Sequence, residues 1–580
     1  MPDATDTLEV ESTSPLIDSG WRTIRPLGAY QLQGLAWVDP QALWLRQLPR
    51  LPFCQATLGA SFLALDRVRG FILLINAEND HSEILNPYTL EPFLDAAGLC
   101  LFQDSLWFCR EETLYRCYLP DWQVEQVLRC SYPIYGVAVD EGGIYVACQK
   151  SGYIHCFEHT TGKEAFRLPA PGIGEENLAL HGGDLWVSDR LEQSVYCLNR
   201  QTGDIKGVAL TPFAQPTALT FDKAGQPWVA YGGDEPYLRD NPNNRDTPLE
   251  IAHRDICVIH PLVFSSGQHY TLSNGYLLEM AYLEEISPLD ACQLDNLEWR
   301  IALPANSLRQ KLLRVEPLGT PFRLETVADQ QVAIFDFPEL RPYEARFFGW
   351  RAWLEVRGIK YHLTPADIDE SLPLPEGFAE QYLVDNDELA MDKPIVQEAA
   401  RVAVGTETNI LRKMLKIRNY VYDRLSYALR PKIETPDLVL ERGVGSCGEY
   451  VGVLLALARL NGIACRTVGR YKCPPHPEQR GIPLEPTYNH VWLEFYVPGI
   501  GWLPMESNPD DVVERGPYPT RFFMGLPWYH VEASKGMRFE TTNYRDRGVR
   551  LGDLALNHVR FTIHGELGAP STPQRHSSEA

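Results

Sequence analysis

The stretch RGVGSCGEYVGVLLALARLNGIACRTVGRY, residues 442–471, and its companion YNHVWLEFYVPGIGWLPMESNPDD, residues 488–511, decide how the last third of this 580-residue chain is read. Gly443, Gly445 and Gly448 surround Cys447, and glycine permits a tight turn and close backbone approach. From Cys447 to Asn461 the sequence is apolar almost all round, through Val451, Val453, Leu454, Leu455, Leu457 and Leu460, and Asn461-Gly462 supplies the stop. That pattern predicts a buried helix with Cys447 at its N-terminus. Unpaired N–H groups and the helix dipole at that end favour a thiolate, and thiol pKa values there fall from ~8.5 toward roughly 3.5–7.5. NHVWLEFY alternates as a strand with His490 at its start, and GWLPME is a second strand that returns through the PGIG turn. His490 is the base such a thiol needs. Glu506, closing the second strand, is placed to hold the distal imidazole nitrogen, with Asn508 and Asp510 as alternatives for that third role.

Cysteine at a helix start followed by histidine and an acid on successive strands resembles the transglutaminase-like superfamily. GSCGEY is similar to its G-x-C motif, HVWLEFY to its H-x-W-x-E-x-Y motif and GWLPME to its G-W-x-x-x-D motif, with glutamate where aspartate is usual. RLSYAL, about 20 residues before the cysteine, matches the tyrosine-bearing helix of family members. The resemblance implies an α+β, papain-like catalytic domain over 395–535 and a thiol enzyme acting on amide or peptide carbonyls. Cys447 would be the nucleophile, His490 the base and Glu506 the orienting acid. A hydrolytic protease or amidase is favoured by analogy. A protein cross-linking transglutaminase and a peptide:N-glycanase-like amidase are alternatives, although the glycanases' zinc-binding cysteine pairs are absent. A third alternative is a binding or assembly protein with a vestigial thiol site. No metal or cofactor is implied, and the calcium sites of animal transglutaminases have no counterpart. A protein or peptide is the expected substrate.

Other residues near the motifs have plainer readings. Glu449 caps a first helical turn, and Trp492 packs against or screens the site. Cys465 and Cys473 are core or loop thiols. His476, in CPPHPEQRG, lines a cleft or faces solvent. Upstream, IVQEAARVAV after Pro394 reads as a short helix. In the next helix Ile410, Met414, Ile417 and Val421 form one buried stripe. Residues 366–394 are acidic and Pro-bearing and read as a linker. Residues 251–365 alternate without a repeat and suggest a β-sandwich, and 236–250 reads as a linker or long loop.

The first 250 residues repeat. LAWVD (35–39), FLALD (62–66), GVAVD (136–140), NLALH (177–181) and ALTFD (218–222) each read as a strand ending in a turn residue, with CLFQD (100–104) a weaker copy. An aromatic strand follows each turn, marked by Trp44, Trp107, Tyr145, Trp186 and Trp228. Tyr145 to Trp186 is 41 residues, as is TTGK (160–163) to QTGD (201–204). A period near 40 with four short strands marks propeller blades, five or six over 25–250. The stretch resembles NHL and six-bladed lactonase-like propellers, which implies a scaffold that holds a protein partner. Asp39, Asp66, Asp104, Asp140 and Asp222 recur at blade turns. They would be the ligands of a lactonase-type metal centre, but a turn position is structurally ordinary for aspartate. The fold class is therefore multidomain: an all-β propeller, then a β-sandwich, then the catalytic domain. A disordered arm is expected over 1–24, and an extension ending in a disordered tail over 536–580.

Net charge is −23, which repels phosphate backbones and argues against nucleic acid. The polar N-terminus lacks a signal-peptide pattern, and there is no run of 18 apolar residues. No membrane association and a cytoplasmic location are the expectations. The 13 cysteines include no CxxC pair, so most are expected to be buried apolar residues.

Overall fold

A computed structural model describes residues 8–9, 23–26, 28–48, 61–78, 80–174, 176–239, 250–287, 294–430, 432–508, 517–544, 547–548 and 555–569. The chain divides into two compact units, Ser19–Phe264 and Met1–Asp18 with Ser265–Ala580.

The Ser19–Phe264 unit contains five small antiparallel sheets, the last of them three-stranded and the others four-stranded. Their first strands, Leu32–Val38, Ala97–Phe102, Gly136–Asp140, Glu176–His181 and Pro216–Phe221, neighbour one another in a closed ring. This is a five-bladed propeller, so the six-bladed resemblance is corrected. LAWVD and FLALD, expected to head separate blades, pair within one blade, with Leu35 opposite Ala64 and Trp37 opposite Phe62. Trp44 lies on a short helix, Leu43–Gln47, not on an aromatic strand. Its place is filled by Phe62, at the register position that Trp107, Tyr145, Trp186 and Trp228 hold elsewhere. The supposed loop at 236–250 corrects in part. Pro227–Arg239 and Glu250–Pro261 form one long hairpin, so the expected boundary at 250/251 falls at its returning strand. Ile24 bridges to Ile259 on that strand. Residues 240–249 lie outside the described residues.

In the second unit two sheets face each other. One orders Leu8–Glu9, Gln310–Gly319, Arg346–Tyr361, Tyr270–Ile286, Ala555–Glu566 and Pro483–Leu484; the other orders Arg323–Val327, Gln330–Leu340, Leu294–Ala302, Glu540–Tyr544 and Arg547–Gly548. Phe348 of the first sheet packs its ring against Trp299, Phe335 and Phe337 of the second, at centroid distances of 5.1, 4.8 and 4.9 Å. The sandwich is therefore not confined to 251–365. Residues 540–544 and 555–566, expected as an extension, complete both sheets, and Leu8–Glu9, expected as disordered arm, adds an edge strand. The rest of the arm and the tail from 570 lie outside the described residues.

Between the sandwich strands the chain forms helices Pro394–Val404, Ile410–Arg424, Pro436–Arg442 and Cys447–Leu460, then a sheet ordered Gly501–Met505, Asn489–Val497, Cys465–Lys472 and His530–Lys535. Pro394 opens its helix and the Asn409 side chain caps the next. In that second helix Met414, Ile417 and Val421 are buried with Leu411, while Ile410 is half-buried. Tyr450, Val453, Leu454 and Leu457 of the Cys447 helix are wholly buried in the same core as Trp492, Leu493 and Phe495 of the sheet. The expected linker at 366–394 is docked onto this sheet. The Phe378 and Tyr382 rings lie against Trp502 at 5.8 and 5.0 Å.

Candidate active site

Cys447 is the first residue of its helix, and the segment before it is fixed by Glu449. One Glu449 oxygen accepts from Ser446 N at 2.8 Å; the other accepts from Arg442 Nη2 at 2.9 Å and Glu434 N at 3.2 Å. Glu449 is thus the capping residue that the sequence suggested. Gly469 on the neighbouring strand has φ +116°, and a Cβ there would come within 2.5 Å of the Trp492 ring and 3.0 Å of the His490 carbonyl. Only glycine lets the His490 strand lie this close.

The structure brings Cys447, His490 and Glu506 together. His490 Nε2 donates to Glu506 Oε1 at 2.6 Å, with both residues only 2% exposed. The other imidazole nitrogen, Nδ1, makes no hydrogen bond of full geometry, and the Cys447 thiol interacts with the ring. Burial raises the thiol pKa, but the His490 hydrogen bond and charge, with the Val491 and Gly448 amides, bring it below its ordinary value. Burial lowers the His490 pKa, but the Glu506 charge overcomes that and raises it. Opposite shifts on thiol and imidazole favour a thiolate–imidazolium pair.

His530 was not legible from the motifs. It is fully buried, and its Nε2 donates to Glu506 Oε2 at 2.7 Å. Burial, then the Lys472 ammonium, push its pKa down to about 3, so it is neutral and carries its proton on Nε2. Lys472 Nζ lies 3.3 Å from the same oxygen, and Ser507 N donates to Oε1 at 3.0 Å. Burial opposes ionisation of Glu506, yet the His490 and Lys472 charges hold its pKa well below the usual range. A signal for His530 existed in the pairing of its strand with the catalytic strand Cys465–Lys472, which only the fold supplies.

Asn508 accepts from Ser507 Oγ at 2.9 Å, and Asp510 lies outside the described residues. Cys465 and Cys473 are buried core thiols, Trp492 is buried with its ring 6.0 Å from His490, and His476 faces solvent beside Glu478. Tyr427, from RLSYAL, lies on a two-residue strand beyond the helix, paired with Val444–Gly445. It interacts with the thiol; burial and then the Cys447 charge push its pKa up to about 12. The ligand atoms of His490, Glu506 and His530 lie within 4.8 Å of one another. Each imidazole is hydrogen-bonded directly to its own carboxylate oxygen, and Lys472 supplies the local cation. That arrangement is a hydrogen-bond network, without the roughly 2.0–2.2 Å ligand spacing that an ion requires.

In the propeller the repeated aspartates hold turns. Asp66 accepts from three backbone amides, Asp140 from Gly142 N and Arg200, and Asp222 from Ala224 N and Gln226 N.

Residues 397–507 match the family model of the transglutaminase-like superfamily. No curated protein matches the chain. Among solved structures it is similar to a candidate cysteine protease from Cytophaga hutchinsonii, at 15% identity over 51% of this chain and 92% of that one, TM-score 0.36. It is also similar to virginiamycin B lyase from Staphylococcus aureus, at 14% identity over 36% and 66%, TM-score 0.24. A streptogramin B lyase is similar at 12% identity over 43% and 79%, TM-score 0.25. These three are recorded as similarities alone. Residues 397–507, which hold Cys447, His490 and Glu506, are a transglutaminase-like domain within a larger, mostly β chain.

Proposed function

We propose that this chain is a thiol-dependent amide acyl-transfer enzyme, most simply a protease or amidase, with Cys447 as nucleophile, His490 as acid and base, and Glu506 as the residue that orients the ring. The observation that carries the reading is the buried hydrogen bond from His490 to Glu506 beside a thiol whose pKa is lowered. The Cys447 thiolate attacks the amide carbonyl carbon, forming a C–S bond. The His490 imidazolium gives its proton to the departing nitrogen as the C–N bond breaks, leaving a thioester and a free amine. Water then attacks the thioester, His490 accepts its proton, and the acid is released as the thiolate reforms. An amine in place of water would give cross-linking by the same balance. Backbone amides at the start of the Cys447 helix are suited to stabilise the oxyanion. The propeller is proposed as a surface for a protein partner, and the unpaired thiols throughout the described residues fit a reducing, cytoplasmic setting. No described helix is long and apolar enough to cross a membrane.

Alkylation by iodoacetamide at pH 6 tests the reading. Fast, selective labelling of Cys447, mapped by mass spectrometry, is expected together with amide hydrolysis that stops once Cys447 is labelled. A labelling rate equal to that of a free cysteine would instead support a non-catalytic binding protein. Release of product as acid or as amine adduct, with a primary amine added, separates hydrolysis from transfer.

A further inference from the structure

The Cys447 side chain is recessed, with the residue 8% exposed, yet the surface beside it carries uncovered apolar groups. Tyr427 is 42% exposed, Ile433 66% and Tyr488 50%. Each is tied to the reactive pair by position. Tyr427 interacts with the thiol. Ile433 lies over the first helical turn, because a Cβ on Gly448 would come within 2.8 Å of its Cδ1. The Tyr488 ring centroid is 6.4 Å from that of His490.

These groups come from two separate segments, one before the Cys447 helix and one before the His490 strand. The first is held in place: Ser426 N donates to Gly443 O and Ala428 N to Gly445 O, each at 2.9 Å, and Glu434 N donates to Glu449 Oε1 at 3.2 Å. Single exposed apolar residues are ordinary on any protein. Three that converge from two segments on one recessed nucleophile form the walls of an approach. A carbonyl reaching Cys447 brings the side chain next to it against those walls. The polar groups on the first segment are the exposed cations Arg430 and Lys432, while Glu434 pairs with Arg442.

We propose that Tyr427, Ile433 and Tyr488 form the acyl-donor subsite, which selects an aromatic or large aliphatic side chain next to the carbonyl under attack. The proposal rests on the reading of Cys447 and His490 as the reacting pair.

The test uses the full chain and three probes, N-acetyl-phenylalanyl, N-acetyl-lysyl and N-acetyl-aspartyl chloromethyl ketone. Each alkylates the thiolate with loss of chloride, forming a thioether. Every rate is divided by the iodoacetamide rate of the same protein, which reads the reactive pair without the subsite. The phenylalanyl probe is expected to exceed the lysyl and aspartyl probes by about tenfold or more, the scale of one buried apolar side chain. Ile433→Ser and Tyr488→Ser should each lower that normalised preference at least about threefold. A phenylalanyl rate no higher than the other two, or a preference that survives both substitutions, overturns the subsite. An aspartyl probe that reacts fastest overturns it in favour of Arg430 and Lys432. Slow, unselective iodoacetamide labelling of Cys447 overturns the reactive pair itself, and the subsite with it.

Discussion

The propeller and the transglutaminase-like domain each bury a carboxylate, and the two are held in opposite ways. Asp189 in the propeller is fully buried and accepts from the backbone amides of Gly174, Leu191 and Glu192, all at 2.9 Å. Glycine at 172 and 174 lets the chain close over it, since a Cβ at either would lie within about 2.1 Å of a carboxylate oxygen. Glu506 instead meets two imidazoles and an ammonium. A carboxylate ringed by backbone amides fixes a turn. One ringed by titratable side chains sets where protons sit. The difference separates architecture from chemistry better than burial does.

The largest expected effect tests the chemical side. Cys447→Ala should abolish amide hydrolysis and any amine transfer while circular dichroism and melting stay close to those of the parent. Full activity in a folded variant would end the mechanism.

The next effect concerns what supports the site from beneath. The sandwich sends Arg309 to the His530 strand: Nη1 donates to His530 O at 2.8 Å and Glu532 Oε1 at 3.0 Å, and Nη2 to Pro527 O at 2.6 Å. Gln310 and Gln330 bond the backbone at Glu532, Ala533 and Lys535, as a neighbouring strand would. Arg309→Met breaks an ion pair whose partners are each 2% exposed, which costs about 3–5 kcal/mol when one charge is left behind. Denaturant melting should show that loss, together with slower Cys447 alkylation. Unchanged melting would mean that the catalytic sheet stands without the sandwich.

This dependence explains what the sequence could and could not convey. The local rules carried the Cys447 helix, the His490–Glu506 hairpin and the blade period, because glycine placement and alternation act over a few residues. His530 sits 40 residues beyond His490 on a short segment with no motif, and its partner is chosen by sheet pairing. The strands at 540–544 and 555–566 complete sheets begun more than 230 residues earlier, a pairing that no local pattern announces. The extra blade arose because a long insertion separates the paired strands LAWVD and FLALD, so that each looked like the start of a repeat.

A matched pair of substitutions sharpens the comparison on a smaller scale. Glu506→Gln removes the charge that holds the His490 imidazolium and should lower turnover at least about tenfold and raise the thiol pKa. That is less than the ~10⁴-fold known for orienting acids of serine triads, since a thiolate–imidazolium pair is partly formed without it. Glu506→Asp should retain more activity than Glu506→Gln. Asp189→Asn turns one acceptor into a donor facing an amide, costing the propeller about 1–3 kcal/mol, with no change in Cys447 alkylation. Silent Glu506→Gln with crippling Asn508→Ala or Asp510→Asn would reassign the acid.

The smallest effect is a difference of sign with pH. Burial raises the Asp189 pKa to about 6 from 3.8, with the Glu192 charge adding to it against the three amides. The folded propeller therefore binds a proton that the unfolded chain has already released. This contribution to stability is complete below 3.8 and is lost as pH rises to about 6. Glu506 has the reverse sense. Its contribution is present above 4.5 and is lost as pH falls below that, and Glu532, lowered to about 2, behaves likewise. Glu284, raised to about 8 by burial and the Glu540 charge, favours the second unit as pH falls toward 4.5 and adds nothing further below it. Asp140, lowered mainly by Arg200 against burial, opposes Asp189 within the propeller. Differences between variant and parent are therefore the quantities to compare. Hydrogen exchange at pH 5.5, 4.5 and 3.8 should show Asp189→Asn reducing the gain in protection of residues 176–210 on acidification. Glu506→Gln should flatten the loss of protection in residues 465–535 below pH 4.5. Parallel acid limbs in both variants would show that backbone-held and side-chain-held carboxylates do not differ in this protein.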